Sequence, residues 1–210
     1  MTIYHIVALP AKTQRKKLNT LKNKLYTWGY RYSLKTSSSD VHITLVQISF
    51  EEKWLIDILQ TAIIELTNKY KSFYLPYIEI TNKINKKSRN DELNKKYPNW
   101  WWWISLLFEN KDNELWSITK KLIKIAKLLN IDDMNSYIDK IKTVKPQYKR
   151  TNNILDYTSN HMNICNYALP EKTNEAKSII EKNIPKKIKF DTLALRNCDW
   201  NTEFEIKLSD

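Results

Sequence analysis

The chain of 210 residues has one glycine, Gly29. Dinucleotide fingerprints and Walker loops bring backbone up against phosphate and need several glycines to do so, and the serine elbow of α/β-hydrolases needs glycines on both sides. All three sites are excluded. Histidine is almost as scarce, with three, and the two cysteines, Cys165 and Cys198, stand far apart. Neither the close ligand spacing of a zinc site nor a disulfide framework can be drawn from them, so no metal and no cofactor is expected. Such sparing use of cysteine fits a reducing compartment. The longest apolar run, Trp100 to Phe108, is far too short to span a bilayer. The opening Ile3 to Leu9 is a strand-length run without the pattern of a secretory leader. The expectation is a cytoplasmic protein with no membrane partner.

What is present is a folded chain with a cationic surplus. An apolar share of 42% with 28% charged residues suits one domain or two small lobes with an ordinary core. Lys and Arg number 35 against 23 Asp and Glu, a net charge of +12. A field of that sign draws polyanions, of which nucleic acids and nucleotides are the commonest in a cell. A lysine-rich composition alone gives the same surplus, so the charge needs a second argument.

Periodicity supplies the frame. Thr2 to Leu9 reads as a strand closed by Pro10. Thr13 to Trp28 reads as a helix with Leu18, Leu21, Leu25 and Trp28 at helical spacing, lysines elsewhere and Gly29 just past its end. After a polar connection, Val41 to Ser49 is a strand. Phe50 to Lys71 is an amphipathic helix with Trp54, Ile58, Leu59, Ala62, Ile63 and Leu66 on one face, and Phe73 to Ile80 is a strand. The charged stretch 84–98 reads as the joint between sequence halves 1–83 and 99–210 of a single two-lobed domain. Beyond it come a strand to Phe108, a helix from Asn113 to Leu129, and one more short helix within Ile131 to Lys145. A strand from Asn160 to Leu169 and a helix from Pro170 to Asn183 follow. Strands Lys187 to Leu195 and Glu203 to Leu208 close the chain. Each half repeats strand, helix, strand, helix, strand.

Two of the histidines occupy matching places in that repeat. In Val41-His42-Ile43-Thr44-Leu45, strand alternation puts His42 and Thr44 on one side and the apolar residues on the other. Asn160-His161-Met162-Asn163-Ile164 does the same with His161 and Asn163. Imidazoles facing each other across a groove can accept and donate a proton at neutral pH. The hydroxyl of Thr44 and the amide of Asn163 can hold non-bridging oxygens as charge develops. That set suits cleavage of a phosphoester without metal, with a pH optimum bounded by two near-neutral ionisations. His5 is a candidate for stacking on a base, or a satisfied core histidine. Among the four tryptophans Trp100 to Trp103, Trp102 is a further candidate for base stacking, a wide aromatic core being the competing reading. Tyr157, beside the basic segment Lys145 to Arg150, is a third substrate-binding candidate. Cys165 shares parity with His161 but reads best as a small buried thiol.

The paired motifs resemble those of the two-histidine phosphoesterase superfamily, which includes the RNA 2′,3′-cyclic phosphodiesterases once called 2′-5′ RNA ligases. His42-Ile43-Thr44-Leu45 matches the family's His-x-Thr/Ser pattern in full; His161-Met162-Asn163-Ile164 departs from it at Asn163. The strand Tyr4 to Pro10 and the closing segments Phe190 to Leu195 and Phe204 to Leu208 resemble the family's first and last strands. The basic residue many relatives carry after the second motif is replaced here by Asn166 and Tyr167. The resemblance implies an α+β fold, bilobal, with two pseudo-symmetric lobes of antiparallel sheet and outer helices around a central groove. It implies His42 and His161 as catalytic acid and base, and hydrolysis of a 2′,3′-cyclic phosphate to a 2′-phosphomonoester.

RNA ends or small nucleotides are the expected partners, with no DNA specificity and a monomer favoured. Alternative readings are degradation of cyclic or 2′-5′-linked immune signals, as by virus-encoded relatives, and a non-catalytic module that binds nucleotides or RNA ends with a decayed second motif. Binding to RNA by charge alone is a weaker third.

Overall fold

The computed structural model describes residues 2–30, 40–85, 101–109, 113–129, 131–133 and 161–209, with the side chains of 82–85, 101, 102, 166, 167 and 170 outside the description. The fold is α+β. Among the described residues eight strands form one sheet: seven take the order β1-β2-β6-β4-β3-β7-β8 and the eighth, β5, pairs with β2, all pairings between them being antiparallel. They are β1 (Thr2–Pro10), β2 (Ile43–Phe50), β3 (Phe73–Asn85), β4 (Trp101–Phe108), β5 (Asp132–Asp133), β6 (His161–Ala168), β7 (Lys187–Asn197) and β8 (Thr202–Lys207). The helices are α1 (Lys12–Thr27), α2 (Leu55–Thr67), α3 (Glu114–Leu128) and α4 (Thr173–Asn183).

Because β7 also pairs with β1, the sheet closes on itself. One leaf holds β8, β7, β1 and β2, with the short β5 on β2; the other holds β3, β4 and β6. Two seams join them. At one, Phe73 to Pro76 of β3 pairs with Lys187 to Phe190 of β7. At the other, β2 touches β6 through the pair Ile43 and Met162. Helices α2 and α3 pack on the first leaf, while α1 and α4 pack chiefly on the second. Both helix pairs cover the apolar outer faces, which leaves the inner faces to the polar side chains of the strands. Strands of the two sequence halves interleave, since β1 lies against β7 and β2 against β6.

Local chemistry accounts for the ends of the helices. Gly29, at φ +73°, takes the left-handed position after α1, and the Tyr30 and Gly29 amides donate to the carbonyls of Leu25 and Tyr26. That is a Schellman closure, for which glycine carries no Cβ penalty. Asn113 caps α3, its side chain accepting from the Trp116 amide at 3.0 Å.

The structure differs from the sequence reading in three places. Strand β2 runs on to Phe50, and α2 begins only at Leu55. Its buried face is Leu55, Leu59, Ile63 and Leu66, while Trp54 and Ile58 are exposed at 59% and 39%. Trp54 precedes the first helical turn, so helical periodicity does not govern it. Strand β3 extends past Ile80 to Asn85, into the stretch read as a joint. The short helix expected within Ile131 to Lys145 lies mostly outside the described residues, and Asp132–Asp133 forms β5. Among the described residues no helix is long and apolar enough to cross a membrane.

The β3–β7 seam is closed by aromatic packing. Phe190 is fully buried, pairs with both Pro10 and Phe73, and has its ring 5.8 Å from that of Phe73 and 5.7 Å from that of Phe108. Truncating it opens a cavity shared by both leaves. Phe190→Ala is expected to cost about 3–5 kcal/mol, seen as a lower urea midpoint with an unchanged slope; a loss under about 1 kcal/mol contradicts the seam assignment.

Candidate active site

The second seam gathers the two motifs. Ile43 and Met162 are paired and both are buried, at 1% and 0% exposure. In antiparallel pairing, a step forward on one strand faces a step back on the other. Thr44 therefore falls opposite His161, and His42 opposite Asn163. Directly opposed residues share a face and have Cβ atoms about 4.5–5.5 Å apart. All four are half-buried, in contrast to the buried pair between them. A single apolar pair thus turns two imidazoles, a hydroxyl and an amide toward one spot.

His42 is fixed through Asp40. Its Nδ1–H donates to the Asp40 carbonyl at 2.7 Å, which leaves Nε2 as the unprotonated nitrogen. The Asp40 main chain is held in turn by α1: Asn19 donates from Nδ2 to Asp40 Oδ1 at 2.7 Å and accepts from the Val41 amide at 3.0 Å. Arg15 and Arg196 flank the Asp40 carboxylate at 3.7 and 3.6 Å, and Glu205 is 3.2 Å from Arg15. Burial, then the electrostatic influence of Arg196, Lys22 and His5, pushes the pKa of His42 down to about 3, against the pull of the Asp40 hydrogen bond. The near-neutral ionisation expected from the sequence is thereby displaced for this residue. Burial also lowers Arg196, while Asp40 and Glu205 raise it. Its Nε and Nη1 are buried without a hydrogen-bond partner among the described residues.

The second motif is held by a residue the sequence reading passed over. Ser105 of β4 is fully buried, pairs with Asn163, and donates its hydroxyl to Asn163 Oδ1 at 2.6 Å. With the oxygen engaged, the Asn163 amide nitrogen is the end left to donate. Cys165 leaves the motif face: Ile104 pairs with Cys165 while Ser105 pairs with Asn163, a bulge that inverts the alternation and places the thiol in the core. Cys198 is a free, exposed thiol.

His5 is a buried neighbour of this site. Gln47 donates from Nε2 to its Nδ1 at 3.1 Å, and burial lowers its pKa to about 4. Cross-strand pairing puts Gln47, His5 and Arg196 in one row. Over them lies Trp200, from the turn between β7 and β8. Its indole stacks on His5 with centroids 4.7 Å apart and covers His42 at 4.6 Å. Neither Trp200 nor Arg196 carries a motif; only the sequence position near the β7–β8 turn could have pointed to the tryptophan. Trp102 lies on β4, opposite Ile84 and Ala168, with its side chain outside the description. Tyr157 and the basic segment Lys145 to Arg150 lie outside the described residues. Among the described residues, no group of three His, Cys, Asp or Glu side chains could hold a metal ion.

No protein-family model matches the chain, and no curated protein matches it in sequence. Two crystal structures of E. coli LigT, one in complex with 3′-AMP and one in apo form, match all of this chain and 98% of theirs. Both are 10% identical to it, with TM-scores of 0.45 and 0.46.

His5 and His42 make stability depend on pH. Unfolded, each takes up a proton near the ordinary value of 6.5; folded, each stays neutral down to about 4 and about 3. Their contribution is whole above pH 6.5 and is lost as pH falls, because the unfolded chain binds protons that the native one refuses. Between about pH 6 and pH 4.5 each should remove about 1.4 kcal/mol per pH unit. Urea unfolding across this range is expected to show that slope, reduced by about half in His5→Gln; an equal slope in the variant contradicts the neutral, buried His5.

Proposed function

We propose that the chain is a metal-independent phosphodiesterase that opens 2′,3′-cyclic phosphates at RNA ends, or small cyclic or 2′-5′-linked nucleotides. One observation carries the reading: the Ile43–Met162 pair sets Thr44 against His161 and His42 against Asn163 on one face. His42, neutral and with Nε2 open, is the general base. It takes a proton from water as the water oxygen bonds to phosphorus. His161 is the general acid, giving its proton to the ribose oxygen as the P–O bond breaks. The net reaction adds one water and leaves a phosphomonoester. Thr44 and the Asn163 amide hold the non-bridging oxygens, whose negative charge grows in the transition state. The unpartnered donors of buried Arg196 and the net charge of +12 favour an anionic substrate. Bound phosphate also raises the basicity of His42, bringing it nearer to what a base needs at neutral pH.

Asn163 in place of a hydroxyl is the feature behind a second reading, a module that binds nucleotides without turnover. A screen in EDTA separates the two, using nucleoside 2′,3′-cyclic phosphates, cyclic-phosphate RNA ends, 2′-5′ oligoadenylates and cyclic dinucleotides. Turnover is expected to survive the chelator and to fall about 10²–10⁴-fold in His42→Ala and in His161→Ala. Ser105→Ala, which frees the Asn163 oxygen to turn inward, should lower kcat about tenfold, the loss expected for one misdirected donor. Activity that requires a divalent ion sinks the mechanism, and nucleotide binding that survives in the double histidine variant without any wild-type turnover establishes the module.

A further inference from the structure

We propose that Trp200 is a positioning residue for His42: the β7–β8 turn holds its indole over the imidazole, fixing the plane of that ring and keeping water from its face. The kinetic part rests on the reading of His42 as a base; the geometric part does not.

Three observations converge on Trp200. Among the described residues it is the one non-glycine with positive φ, at 65°. A bulky side chain in that region is strained, and such strain persists only where the surroundings over-determine it. The surroundings do so here through Asn197. Its side-chain Oδ1 accepts from the amides of Asp199 and Asn201, each at 3.0 Å. Its backbone donates to the Asn201 carbonyl at 3.0 Å and accepts from the Trp200 amide at 2.9 Å. A turn that only joined β7 to β8 would be easier with glycine at this position.

The second observation is where the strain sends the ring. The indole rests on Val7, Leu9 and Ala194, a small apolar floor separate from the main core. These residues lie on the inner face of the first leaf, where Val7 pairs with both Thr44 and Ala194. The third is what the ring covers. It stacks on His5 at an interplanar angle of 18° and lies over His42 at 40°. His42 is thus bounded by the Asp40 carbonyl at Nδ1 and the indole over its face. Lys22 of α1 and Arg196 of β7 supply positive charge around it, with the neutral His5 of β1 beside them, and the second motif of β6 stands across the seam. Removing the indole leaves the hydrogen bond to Asp40 intact but lets water reach the imidazolium, which favours the charged form.

The test compares Trp200→Gly, Trp200→Ala and Trp200→Phe with the wild type. Glycine accepts the left-handed turn without strain, so it removes the ring while keeping the loop. Side-chain NMR follows the histidines as pH is lowered, with the His42 signal assigned by its loss in His42→Ala. In the wild type His42 should titrate far below 6.5. In Trp200→Gly and Trp200→Ala its midpoint should move up by about one unit or more, and in Trp200→Phe it should stay near the wild-type position. The acidic limb of kcat/KM should move up with it in Trp200→Gly and Trp200→Ala, by the same amount as the NMR midpoint, with little change at pH 8. An unchanged His42 titration in folded Trp200→Gly overturns the proposal. A shifted titration in a protein that turns over no phosphodiester supports the positioning role and removes the catalytic reading alone.

Discussion

The site depends on one contact between two strands that otherwise belong to different leaves. Ile43 and Met162 meet at the end of a closed circuit of strands, and both point into the core. Burial of that pair fixes the parity of everything beside it. A slip of one residue on either strand would carry an imidazole into the core and an isoleucine or methionine into the groove. The contact itself is short on hydrogen bonds, so its geometry is imposed from elsewhere. Helix α1 supplies part of this, since it packs on β6 while its Asn19 grips the chain entering β2. The far seam supplies the rest, where Phe73, Phe108 and Phe190 tie β3 and β4 to β7.

Around that contact several side chains sit in states that cost stability. His42 and His5 are kept neutral by burial, Arg196 is buried with donors unmet, and Trp200 is held in a backbone region it disfavours. None of these improves the core. All lie within a few residues of the inner face of the first leaf, and each is tolerable because a rigid neighbour over-determines it: Asp40 for His42, Gln47 for His5, the two carboxylates for Arg196, Asn197 for Trp200. Concentrated strain of this kind, in a fold that elsewhere follows its local rules, is the reason to look for function at this spot.

The sequence made the strands and the motifs legible because both rest on alternation. Val41 to Leu45 and Asn160 to Ile164 alternate cleanly, and alternation survives into any sheet. The face of α2 was misjudged at Trp54 because the helix begins one residue later, and helix starts depend on caps that Glu51 to Trp54 do not announce. Cys165 is the buried thiol that its chemistry suggested, although its parity with His161 pointed to the groove; a bulge between Asn163 and Cys165 inverts that parity, and bulges leave no periodic trace. Ser105, Arg196 and Trp200 were invisible for a different reason. Each reaches the site by a cross-strand or turn contact with a partner more than 50 residues away, as Ser105 and Asn163 are 58 apart, and no local pattern encodes that distance.

Asn163 is where the chain departs most from its resemblance, and the structure bears on whether that departure is decay. A lost hydroxyl would leave a gap or an unsatisfied neighbour. Instead the buried Ser105 hydroxyl has Asn163 Oδ1 as its partner at 2.6 Å. That hydroxyl stands one strand over from the motif position, where it orients the amide of Asn163. An amide so held presents two N–H donors from one nitrogen, where threonine would present one O–H. A serine buried with no other role would be replaced at little cost by alanine; a serine that aims a donor would not. The pair therefore forms an ordered half-site, whose amide can donate to two oxygens of an anion on that side.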